Sequence, residues 1–97
     1  MNLNFTAPLW QWEGKAAWFF VTVPHELSDR IRAVPREPKH GFGSVRVRAV
    51  IGATTFDTSV FPDSTSGCYL LPVKKPVRAA ESLEASDEVA VTMLLLD

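Results

Sequence analysis

Lys74, Lys75 and Arg78 are the residues of this chain best placed to do chemistry, inside the run TSVFPDSTSGCYLLPVKKPVRA at 58–79. A helix opening at Pro72 would carry Lys74 and Lys75 in its first turn and Arg78 one turn further on, near the same face. Cations at the positive end of a helix need an anion or a carboxylate to compensate them. The chemistry implied is the holding of a phosphate, sulfate or carboxylate. The plainer reading is structural, with Arg78 paired to Glu81, Glu84 or Asp57 to tie helix to sheet.

Arg46 and Arg48 alternate along one strand and extend the set of anion-binding candidates. Asp57 and Ser59 fall on the facing strand of the same hairpin, so cross-strand pairing is the default for all four. A polar concavity joining Arg46 and Arg48 to the helix cations is the sharper alternative. An enzyme would need His40 or Asp57 as acid or base beside that cluster. His25 and His40 show no metal-ligand spacing, and Ser59, Ser64, Ser66 and Cys68 have no nucleophile motif or paired base. Neither a metal nor a cofactor is called for. The hydroxyl-rich loop PDSTSG, 62–67, reads as a solvated turn, with an anion nest as its functional alternative.

Composition narrows the classes further. The 97 residues are 46% hydrophobic and 22% charged, which suits a single globular domain spanning 1–97. Net charge is −1, so the whole chain is not an obvious polyanion binder, and nucleic-acid binding is only a further alternative. The charges are segregated, however, with a basic middle (Arg30, Arg32, Arg36, Lys39, Arg46, Arg48) and an acidic end (Glu81, Glu84, Asp87, Glu88, Asp97). Trp10, Trp12, Trp18, Phe19 and Phe20 crowd the N-terminal part, away from the bases, which counts against nucleic acid. Most of them are expected in the core, with Trp12 partly exposed near a turn. Cys68 stands alone and reads as a buried thiol in a reducing compartment. With no basic-then-apolar leader and no apolar run of membrane length, the expectation is a cytoplasmic protein that does not engage a membrane.

The elements that must position these residues follow from period-two patterns. Leu3, Phe5 and Ala7 open a first strand that closes at Trp10, and residues 16–23 form a second. Leu27, Ile31 and Val34 mark a short helix after Pro24, and 35–43 is an irregular loop. Val45 to Ile51 and Thr54 to Phe61 are strands joined by Gly52-Ala53, a type II′ turn with glycine first. A short strand at 67–71, a second helix from Pro72 to about Leu83 and a last strand at 88–96 complete the chain. The expected fold is mainly β, a small closed or partly closed six-stranded β-barrel with two short α-helices. The last strand, apolar on both faces, invites a homodimer.

Certain residues, in this order, carry a family resemblance: Trp18 with Val21-Thr22-Val23-Pro24, Gly41-Phe42-Gly43, Thr58-Ser59, Phe61-Pro62, Tyr69-Leu70-Leu71-Pro72-Val73-Lys74-Lys75, Val77-Arg78 and Asp87-Glu88-Val89. The chain resembles the bacterial family called domain of unknown function nineteen-oh-five. The resemblance implies a six-stranded barrel-like fold, alone or fused to a bacteriocin-protection-like helical domain, and no established activity. Family members commonly carry glycine where Ser82 and Ser86 stand here, so the turn into the last strand is expected to be strained or reshaped. The combined reading is a non-catalytic binding module for a small anionic ligand or an acidic protein segment.

Overall fold

In–out alternation, strict in the third and last strands, builds the frame. The computed structural model describes residues 1–14, 18–34 and 43–96. Its elements are β1 (Asn2–Gln11), β2 (Phe19–Thr22), α1 (His25–Ala33), β3 (Val45–Ile51), β4 (Thr54–Pro62), β5 (Tyr69–Pro72), α2 (Lys75–Ala80) and β6 (Glu88–Leu95). In β3 the residues Val45, Val47, Ala49 and Ile51 are buried, while Arg46 and Arg48 are exposed. β6 does the same with Val89, Val91, Met93 and Leu95 inside. Every described strand joins one closed barrel, in the order β1-β2-β5-β4-β3-β6, with antiparallel neighbours throughout. Closure leaves no free edge, and Leu3, Leu9, Val21, Val47, Val60, Leu71 and Met93 fill the interior. This is the fold class expected from the sequence.

The β3–β4 turn also follows expectation: Gly52 takes φ +58°, and Ala53 is not among the left-handed residues. Strand and helix ends differ. The second helix spans only Lys75–Ala80, with Lys74 as its N-cap, because Pro72 and Val73 remain extended. The Val73 N–H donates to Phe19 O (2.9 Å), prolonging the β2–β5 ladder past the assigned strands. The first helix starts after Pro24 and buries Ile31 and Ser28, while Leu27 and Val34 pack half-buried against the core.

Placement of the aromatic residues departs most from expectation. Leu9 pairs with Val21 and both point inward, so Trp10 and Phe20, the next pair in register, point outward. Trp18 and Trp12 extend that outer face. Both are about half exposed, at 55% and 50%. The sequence reading put most of these aromatics in the core; Phe20 is indeed buried, though on the outer side of the wall, while Trp18 is exposed. A narrow barrel lined by valines and leucines has no room for indoles, so they lie on its outer wall.

Candidate functional site

Register determines what stands beside what. β1 and β2 pair Trp10 with Phe20 and Gln11 with Phe19, and the Trp12 N–H donates to Trp18 O at 2.7 Å, which sets Trp12 across from Trp18. β2 and β5 pair Phe20 with Pro72, and the Val73–Phe19 bond continues that ladder, which sets Trp18 across from Lys74. Trp12, Trp18 and Lys74 therefore form one row over three neighbouring chains. Trp10, Phe20 and Pro72 form the row beneath it.

Phe20 is only 3% exposed although it faces outward, because aromatic neighbours roof it. Trp10 lies 5.3 Å away, Phe61 5.6 Å, Trp18 6.1 Å and Trp12 6.4 Å between ring centroids, tilted or edge-on. These spacings and tilts are those that aromatic quadrupoles favour. Trp10 is further fixed by its indole N–H, which donates to Thr22 Oγ1 at 2.9 Å. Gly14 supports Trp12: a Cβ there would stand 2.7 Å from the ring's Cδ1.

Where this face meets the start of α2 lies a cleft of about 320 Å³. Trp18, Phe19, Pro72 and Val73 form its apolar wall, and Lys74, Lys75 and Arg78 supply its charge. None of these lining residues is acidic. Lys74 and Lys75 are exposed and Arg78 half-buried. The Arg78 guanidinium stacks 4.0 Å over the Phe19 ring and donates from Nη1 to Val73 O at 2.7 Å. Among the described residues it has no carboxylate partner. The pairing expected with Glu81 does not form. Glu81 instead accepts from Thr54 Oγ1 (2.6 Å) and the Ala53 N–H (3.3 Å), so it ties α2 to the β3–β4 turn.

The remaining candidates lie elsewhere. Arg46 and Arg48 point outward from β3 opposite Ser59 and Asp57, as the hairpin reading expects, and they do not line the cleft. Arg48 and Asp57 form a bidentate pair at 2.7 and 3.0 Å. The Arg48 hydrogen bond holds the Asp57 carboxyl below the ordinary carboxylate range, and the same bond raises Arg48. An ionised, fully engaged carboxylate is a poor acid or base for a reaction near neutral pH. His40, the other acid/base candidate, lies outside the described residues. In the 62–67 loop Asp63 accepts from the Thr65 and Ser66 N–H groups and from Ser66 Oγ, so the loop consumes its own donors rather than forming an anion nest.

The exposed Trp18, set beside Trp12 on one outer face, is the surface feature that the sequence reading missed. The signal was the two-residue spacing of Trp10/Trp12 and Trp18/Phe20, which puts each pair on one strand face. Sequence separation concealed that the fold brings Trp18 to Lys74.

The family described as Domain of unknown function (DUF1905) matches residues 5–93, nearly the whole chain. No curated protein matches it.

Proposed function

The chain belongs to the DUF1905 family, whose description assigns no activity, and we propose that it is a non-catalytic binding module whose cleft holds an anionic ligand with an apolar body. One observation carries this reading: Lys74, Lys75 and Arg78 line a cleft with Trp18 and Phe19, and among the described residues no acidic side chain shares it. Uncompensated cations attract an anion, and apolar walls contribute binding through the ligand's non-polar surface. Arg78 shapes the cleft, since its guanidinium braces the Val73 carbonyl and covers Phe19. Lys74 and Lys75, exposed and without a side-chain hydrogen bond among the described residues, are the ligand-facing charges.

Thermal unfolding against inorganic phosphate, pyrophosphate, sugar phosphates and organic acids tests the reading. A ligand at 100 times its Kd stabilises by about 2.7 kcal/mol, a shift of several degrees for a domain of this size. The double variant Lys74→Ala/Lys75→Ala should fold normally and lose the shift. If no anion raises Tm, or the double variant responds like the parent, the cleft is not an anion site.

A further inference from the structure

Resting on that reading, we infer that the anion is the backbone of a single-stranded nucleic acid, whose bases stack on the exposed indoles of Trp18 and Trp12. The row Trp12–Trp18–Lys74 crosses β1, β2 and the extension of β5. Neighbouring strands lie about 5 Å apart, so Trp18 is one strand from the Lys74 ammonium stem and Trp12 two. The cleft ends at Trp18, but exposed aromatic surface continues past it to Trp12, which is half open to solvent. A small anion bearing one ring would need Trp18 alone. A polymer that repeats ring and anion uses both indoles and both lysines.

The platform is rigid as well as exposed. Phe20 underlies both tryptophans, the Trp12–Trp18 backbone bond holds the two chains in register, and Gly14 leaves room for the Trp12 ring. Stacking faces fixed before binding lose little entropy when a base settles on them. Every base has a π-face, so such a platform takes strands of any sequence, and duplex DNA, whose faces are already stacked, is excluded. Bases thus enter as stacking partners, and phosphates as counter-ions of Lys74 and Lys75.

The test is a titration of the intact protein with a fluorescein-labelled dT12 strand, followed by anisotropy and by tryptophan emission. The same strand annealed to dA12, mononucleotides and inorganic polyphosphate serve as competitors. The expected result is quenched tryptophan emission on binding dT12 and weak competition by duplex. Affinity should fall about tenfold or more in Trp12→Ala. A log Kd against log salt slope of about 1.4 in magnitude, from two phosphate contacts on a single strand, should shrink in Lys74→Ala/Lys75→Ala.

Polyphosphate binding as tightly as dT12, with Trp12→Ala unaffected, would overturn the strand proposal and leave the anion site standing. Binding of neither polyphosphate nor dT12 would overturn both. Equal affinity for a mononucleotide and dT12 would reduce the ligand to a free nucleotide and overturn the proposal. A sedimentation shift of the protein alone in Trp12→Ala, without quenching by dT12, would make this face a contact between copies and also overturn it. Gly14→Ala adds an independent check: it leaves every charge in place, displaces the Trp12 ring and should reproduce the loss seen in Trp12→Ala.

Discussion

Ser82 and Ser86 hold left-handed backbone, at φ 54° and 79°, and among the described residues no other non-glycine does so. Ser82 is the residue just past the end of α2: its N–H reaches Ala79 O and the Leu83 N–H reaches Arg78 O, a Schellman arrangement that favours glycine. Ser86 turns the chain into β6 while its N–H donates to Leu9 O at 2.7 Å. A side chain in this region costs about 1–2 kcal/mol, partly offset in glycine by the larger freedom of the unfolded chain. Ser82→Gly and Ser86→Gly should therefore each stabilise by about 0.5–1 kcal/mol, a rise in Tm of about 3–5 °C in a calorimetric scan. A fall in Tm would mean that the serine hydroxyls stabilise these turns. A strained or reshaped turn at these two positions was expected from the family resemblance, which implies glycine there, and both serines do take left-handed backbone. The Arg48–Asp57 pair was legible too, since a tight two-residue turn dictates its register. The partner of Arg78 was not, because a guanidinium reaches a carbonyl and a ring face as readily as a carboxylate.

At the scale of elements, polar side chains fasten each helix to the barrel. Ser28 is fully buried; its Oγ donates to Val23 O and accepts from the Tyr69 N–H, both at 2.9 Å. This hydroxyl thus fastens α1 where β2 ends and β5 begins. Arg32 adds a second attachment, donating to Gly67 O at 2.8 Å and lying 5.5 Å over the Tyr69 ring. Ser28→Ala leaves the buried Tyr69 N–H and Val23 carbonyl each short of a partner and should destabilise by about 1–3 kcal/mol in urea unfolding. A change under about 0.5 kcal/mol would show that α1 is held by Ile31 and Arg32 instead. The periodicity of Leu27, Ile31 and Val34 sufficed to place α1, but nothing in the sequence distinguished the buried Ser28 from a surface serine. The second helix proved shorter than its pattern because the extended Pro72 and Val73 continue β5 alongside Phe19, a tertiary contact overriding a local signal.

The whole molecule is closed by pairing its two outermost strands, with Asn2–Pro8 of β1 against Glu88–Leu94 of β6. Thr92 Oγ1 donates to Asn4 Oδ1 across a sequence separation of 88, so closure depends on the longest-range contacts the chain can make. Such topologies fold slowly, because loop-closure entropy is lost before the pairing compensates it. Refolding monitored by stopped-flow circular dichroism should take milliseconds to seconds, and full recovery in microseconds would argue that a local nucleus suffices. Sequence by itself determined the strands, the two helices, the β3–β4 register and a closed or partly closed barrel, because alternation and turn chemistry are properties of neighbouring residues. It also singled out Lys74, Lys75 and Arg78 as a group. Tertiary structure alone decided which face of β2 points outward, and so turned Trp18 from expected core into surface beside Lys74, next to the partly exposed Trp12. The physical reason is that alternation identifies two faces without saying which is inside; only the volume available within the closed barrel settles that choice.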